Sequence, residues 1–192
     1  MKGKFFPPIK ILGRYWIKLF DYHIHTKHCG HATGDLEDYV KYAIKIGFDE
    51  IGFSGHTPFE YLPDNGSIPR EKYGMSESKL EWYFSEITNL QNKYSGQIII
   101  KKGMEIDYMG WNTDAISKFI NQISEKVDYI IGSVHMIQSA GIGIWSIDDS
   151  KFIKNYQILG VDNVYNQYLD DMISLLTSGM YDIIAHFDLV KK

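Results

Sequence analysis

Short apolar runs recur along this chain, and each leads into a histidine or a glutamate. LFDYHIH ends in His23 and His25, DEIGFSGH in His56, IIIKKGME in Glu105, YIIGSVH in His135, and DIIAH in His186. Short apolar runs bounded by turn residues read as strands, and these predict strands over 18–25, 49–56, 97–105, 128–135 and 181–187. Between them lie longer stretches with helical spacing. Leu36, Tyr39, Val40, Ala43 and Ile44 form one stripe of a helix over 35–46, with Asp35 placed to cap it and Gly47 to end it. Further helices are expected over 77–94, 113–126 and 162–178, with a short one near 150–157 after a Gly-rich loop. Strands alternating with helices demand βαβ units and a parallel sheet. Such sheets carry their chemistry at the C-terminal strand ends, where these histidines fall.

Composition narrows the classes. A chain of 192 residues with 44% hydrophobic content fits one domain with a real core. The formal net charge of −4, with both signs interspersed, argues against a nucleic-acid partner. No apolar run approaches the ~20 residues of a membrane span. Residues 1–17 are basic and aromatic but broken by Pro7, Pro8 and Arg14; they read as an N-terminal extension rather than a secretory signal, ahead of a domain over 18–192. Cys29 is the only cysteine, so no intrachain disulfide forms, and a reducing cytoplasm is expected.

The strand-end residues suggest metal chemistry. His23 and His25 are two apart on a strand, so both imidazoles face one way and can share an ion. A carboxylate at Glu105, at the inner mouth of a barrel, needs a partner, and a cation is the natural one. Singly, each of these is more often a core or loop histidine, or a solvated loop glutamate. Together, on neighbouring strands, they read as one site. The donor set is nitrogen and oxygen with essentially no thiolate, which suits Zn²⁺, Fe or Mn²⁺. Asp21, Ser54 and Ser133 flank the candidate ligands. His28 and His31 both lie in the loop after the first strand, and spacing does not choose between them.

The segments DYHIHTKHCGHA, GFSGHTPF, GMEIDY, GSVHMI and DIIAHFDLVKK, in this order, resemble the polymerase and histidinol phosphatase (PHP) superfamily, above all its histidinol-phosphate phosphatase branch. The resemblance implies an α/β fold, a distorted (β/α)7 barrel of which about five strands are present here. It implies three divalent ions (Zn, Fe or Mn). His23 and His25 would hold the first, with Glu105 bridging to the second; His135 and His186 would complete the second, and His31 and His56 would hold the third. His31 is preferred over His28, which is left as a surface residue, because the family's histidine precedes Ala. Glu105 and His135 would act catalytically through a metal-bound hydroxide that attacks phosphorus. The implied reaction is hydrolysis of L-histidinol phosphate, in histidine biosynthesis.

Two departures qualify this. Family members continue past the equivalent of HFDLVKK with strands that bring a late Asp-x-His pair, so the chain is expected to be truncated, and an oligomer would cover an open barrel edge. Arg14 and Arg70 are the only arginines, and neither lies in the later loops. Lys151 and Lys154 are the substitute phosphate contacts, as point charges without the guanidinium fork. The alternatives are another PHP-type phosphoesterase acting on a different small-molecule phosphate ester, or an inactive metal-binding fragment.

Overall fold

A computed structural model describes residues 18–64 and 70–191. The expected extension over 1–17 lies outside the described residues. Strands β1 (Phe20–Ile24), β2 (Glu50–His56), β3 (Ile99–Asp107), β4 (Tyr129–Ser133) and β7 (Ile183–Ile184) form one parallel sheet in that spatial order. Helices α1 (Leu36–Ile46), α2 (Leu80–Lys93) and α3 (Thr113–Ile123) connect the first four strands, while α4 (Ile153–Leu159) and α5 (Val161–Ser178) precede β7. This is the parallel α/β sheet that the alternation predicts, in the form of the incomplete barrel that the family resemblance implies.

The sheet is strongly curled. Four spacings of ~4.8 Å would put the ends of the two outer strands about 19 Å apart in a flat sheet. Instead the rings of His23, on β1, and His186, just past β7, lie 5.8 Å apart. Curling turns one face of every strand toward a common interior. On β3 the alternation sends Met104 and Ile106 outward, fully buried against α1, α2 and α3 with Val40, Tyr83, Ile87, Ile116 and Phe119. Gly103, Glu105 and Asp107 then face inward.

The floor of the interior is a single ring. Tyr129 packs with Ile131, Ala185, Tyr22 and Ile183. A Cβ on Gly103 would meet the Tyr129 ring at 2.2 Å, and one on Gly52 would meet its hydroxyl at 2.3 Å. The bare backbone at these two strand positions is what lets the ring enter. The Tyr129 hydroxyl donates to the Tyr22 carbonyl at 2.7 Å, with the Phe53 carbonyl at 3.2 Å, and so ties β4 to β1 and β2.

On β1 the register against β2 shifts between Asp21 and Ile24, so three residues of β1 advance against two of β2. Such a bulge reverses the alternation. It allows Tyr22 to lie against the floor while His23 and His25, further along, also face inward.

Two elements differ from the sequence expectation. The Gly-rich loop after β4 is an antiparallel hairpin, β5 (Met136–Ser139) and β6 (Gly143–Ser146), turned at Gly141 and Gly143, where φ is 77° and 92°. Trp145 is buried in it and donates from Nε1 to Ser139 Oγ at 3.0 Å. The last strand shrinks to two residues, although the Asp182 and Ala185 amides still donate to β4 carbonyls. Beyond the hairpin, α5 packs Val164, Tyr168, Met172 and Leu175 onto Val134, Ile137 and Trp145 as a second core. Among the described residues no helix is long and apolar enough to cross a membrane.

Candidate metal centre

Five imidazole nitrogens surround the Glu105 carboxylate. Oε2 faces His23 Nε2 at 3.0 Å, His56 Nδ1 at 3.2 Å and His25 Nε2 at 3.3 Å. Oε1 faces His186 Nε2 at 3.3 Å and His135 Nε2 at 3.6 Å. These side chains come from β1 and the residue that follows it, the end of β2, the turns after β4 and β7, and β3 itself. Six of the sequence candidates therefore converge: His23, His25, His56, Glu105, His135 and His186.

The site is buried at its centre and open at its rim. Glu105 is fully buried, His56 nearly so, and His23 and His186 keep about a third of their side chains in water, at 32% and 30%. Among the described residues, neither buried Glu105 oxygen has a hydrogen bond of acceptable geometry. A buried carboxylate left so is costly. Donor atoms crowding it from both sides are what divalent cations would satisfy, so the residues fit a metal centre. Among the described residues, three overlapping sets have ligand atoms within 4.8 Å of one another: His23–Glu105–His186, His25–His56–Glu105, and His56–Asp107–His135.

Electrostatics follow from this crowding. Burial works against the Glu105 charge, but His186, His23, His56 and His135 outweigh it and hold the carboxyl well below the usual range. Burial pushes His56 well below the ordinary imidazole value. The contact with Glu105 raises His23. Burial would lower His135 too, but Asp107 and Glu105 overcome it and hold that imidazole at about 9.

The remaining candidates sit differently. His31 is exposed and belongs to none of the three sets, although its ring lies 4.5 Å from that of His56. Beneath it the Cys29 thiol lies 3.8 Å from His25 Nδ1. Burial pushes that thiol up, but His25 and His31 outweigh it and bring it down to about 5. His28 is not a surface residue. Its side chain is 4% exposed, pairs with Glu86 of α2 at 2.9 Å and meets the Trp82 ring edge-on. Lys151 pairs with Asp149 at 3.0 Å and lies over the Phe152 ring, and Lys154 is exposed on α4; neither lines the cleft. Among the flanking residues, Ser133 Oγ lies 3.2 Å from His135 Nδ1, Asp21 accepts from the His23 amide, and Ser54 Oγ is buried with no hydrogen-bond partner among the described residues.

Sequence reasoning missed Asp107, Tyr73 and Asp148, which line the same cleft of about 240 Å³. Asp107 had a usable signal, since it stands two residues after Glu105 on one strand and so faces the same way. Asp148, which accepts from Ser146 Oγ at 2.7 Å, and Tyr73 reach the cleft from loops, and no periodicity marks them.

Comparison with known proteins agrees with this geometry. The PHP domain model matches residues 21–192. The chain is 32% identical over 181 residues to the histidinol-phosphatase of Bacillus subtilis, covering 90% of this chain and 66% of that one. It is 30% identical over 174 residues to the "probable histidinol-phosphatase" of Deinococcus radiodurans, covering 91% and 62%. The chain thus spans about two-thirds of the length of these relatives. Among solved structures it superposes on the Lactococcus lactis histidinol phosphate phosphatase complexed with zinc, L-histidinol and phosphate, with a TM-score of 0.71 and 26% identity over 90% of this chain and 59% of that one. The order of its strand-end histidines, its curled parallel sheet and the match over nearly its whole described length place the chain in the PHP domain family.

Proposed function

We propose that this chain carries the metal centre of a histidinol-phosphatase, hydrolysing L-histidinol phosphate to L-histidinol and phosphate. The observation that carries the reading is the Glu105 carboxylate, buried, without hydrogen bonds among the described residues, and flanked by five imidazoles. The two faces of that carboxylate suit a bridge. In the proposed site His23, His25 and Glu105 would hold a first ion, Glu105, His135 and His186 a second, and His31 and His56 a third. Bound divalent ions would supply an activated water near neutral pH and charge to offset the phosphate. The chain's own groups do the rest. The imidazoles turn ring nitrogens toward the cleft, Asp107 accepts the Nδ1 proton of His135 at 2.7 Å, and the rim leaves room for a small ester. No lysine or arginine lines the cleft among the described residues, whereas Asp107 and Asp148 do, which favours a substrate bearing an amine over an oligonucleotide.

The test is release of inorganic phosphate by the zinc- or manganese-loaded protein from L-histidinol phosphate, beside a panel of other phosphomonoesters. Release from histidinol phosphate that a chelator abolishes is the expected result. No preference for it over the panel would reject the substrate, and chelator-insensitive release would reject the metal centre.

A pH dependence follows. With His135 held at about 9, the metal-free protein carries its imidazolium at pH 7. A ligand must give up its Nε2 proton, so ion uptake displaces a proton below that value. Apparent zinc affinity on this side should rise about tenfold per pH unit from pH 7 and flatten near 9. Titration calorimetry in buffers of different ionisation enthalpy should show proton release that falls toward zero above pH 9. Release independent of pH would contradict His135 as a ligand.

A further inference from the structure

Asp107 and Glu105 are both inward carboxylates of β3, yet their surroundings are opposite. Among the described residues neither oxygen of Glu105 has a hydrogen bond. Both oxygens of Asp107 are engaged: Oδ1 lies 2.7 Å from His135 Nδ1, and Oδ2 accepts from the Thr57 hydroxyl at 3.0 Å. The Thr57 oxygen in turn accepts from the Asp107 backbone amide at 2.8 Å. Thr57 and Asp107 are buried, at 0% and 3% exposure, so the pair forms a closed clamp between the end of β2 and the end of β3. Thr57 directly follows His56, so the clamp also anchors that histidine's backbone.

We propose that Asp107, held by Thr57, is a positioning residue that fixes the ring of His135 with its Nδ1–H turned to the carboxylate and its Nε2 turned to Glu105. The inference rests on the metal-centre reading above. An imidazole can ligate only through a nitrogen without a proton, and a carboxylate on the far nitrogen fixes which one that is. Nε2 is the nitrogen that faces Glu105 Oε1, at 3.6 Å. Without the clamp, the Ser133 hydroxyl, 3.2 Å from Nδ1, would be the neighbour left to that nitrogen. A hydroxyl can donate as well as accept, so it does not enforce one tautomer. Asp107 could reach an ion directly only by abandoning one of its two partners.

Zinc binding to the whole chain tests this. Affinity is read by competition with a chromophoric chelator, stoichiometry by elemental analysis at saturating zinc, and geometry by the visible spectrum after cobalt substitution. Asp107→Ala should weaken the ion next to His135 by about 10–100-fold while stoichiometry at saturation is unchanged. Thr57→Val, close in shape, should shift affinity and spectrum in the same direction by less, and Thr57→Ser should restore both. Folded Asp107→Ala and Thr57→Val proteins with wild-type affinity would overturn the proposal. Loss of one ion at saturation in both Asp107→Asn and Asp107→Ala would also overturn it, making Asp107 a ligand. A wild-type chain that takes up no zinc would overturn it as well. Because the readout is affinity, failure of the clamp leaves phosphate release by the wild type intact. Failure to hydrolyse histidinol phosphate leaves the ranking of affinities intact.

Discussion

Glu105→Gln is expected to abolish zinc-dependent stabilisation and reduce phosphate release to background. The substitution keeps the shape of the side chain and removes its charge, so the outcome isolates electrostatics from packing. A ligand at about a thousand times its dissociation constant stabilises a folded protein by about 4 kcal/mol. For a chain of this size each kcal/mol moves Tm by about 2–4 °C. Saturating zinc should therefore raise the wild-type Tm by about 8–16 °C. In Glu105→Gln the two oxygens that face imidazoles on both sides become one neutral oxygen and one amide donor. The amide cannot bridge cations, and it would donate to an imidazole nitrogen that an ion needs. The zinc shift should fall to within a degree or two of zero, while the metal-free Tm changes by less than the shift that is lost. Thermal scans across a zinc titration, with phosphate release on the same samples, read both. A Glu105→Gln protein that keeps the wild-type zinc shift would show that the carboxylate is not part of the centre.

The parts of this site written as strand ends were legible in the sequence, because a parallel strand ending on a histidine is a local pattern with a fixed spatial consequence. His56, His135 and His186 belong to that class, and Glu105 stands two residues before the end of β3. What the pattern did not carry depends on contacts between distant segments. The bulge in β1 is one example: simple alternation from Tyr22 would put it and His23 on opposite faces, and only the shifted register against β2 brings both inward. His28 is another. Its sequence neighbourhood is a polar loop, and it is buried because Glu86 and Trp82, on a helix far along the chain, close over it. The hairpin after β4 was hidden by its glycines, which signal a turn but not the strands on either side. Asp107 was readable by parity with Glu105, but its role lies in Thr57, fifty residues away. The glycines of β2 and β3 were visible as strand residues, whereas the ring they admit comes from β4.

Those glycines carry the second large effect. Gly103→Ala is expected to destabilise the protein by a few kcal/mol, and Gly103→Val to prevent it from folding. A methyl at Gly103 would lie 2.2 Å from Cζ of Tyr129, too close for any real contact, so the ring must move. It has little room, because Gly52 on the next strand meets the same ring closely and the hydroxyl is held at the Tyr22 carbonyl. Overpacking of this kind costs about 1–3 kcal/mol, and breaking a hydrogen bond while its carbonyl stays buried adds about 1 more. The damage should reach the metal centre, because Gly103 stands two residues before Glu105 on the inward face and Tyr129 joins the strands that carry His23, His56 and His135. A double-mutant cycle separates steric conflict from loss of glycine's backbone freedom. Tyr129→Ala alone should cost about 3–5 kcal/mol through the cavity it leaves. In that background the Gly103→Ala methyl fills space instead of colliding, and its added cost should vanish or reverse sign. Urea denaturation of the four proteins gives the coupling directly. Equal costs for Gly103→Ala with and without the Tyr129 ring would mean that the ring is not what these strands make room for, and that the floor of the site is held by something else.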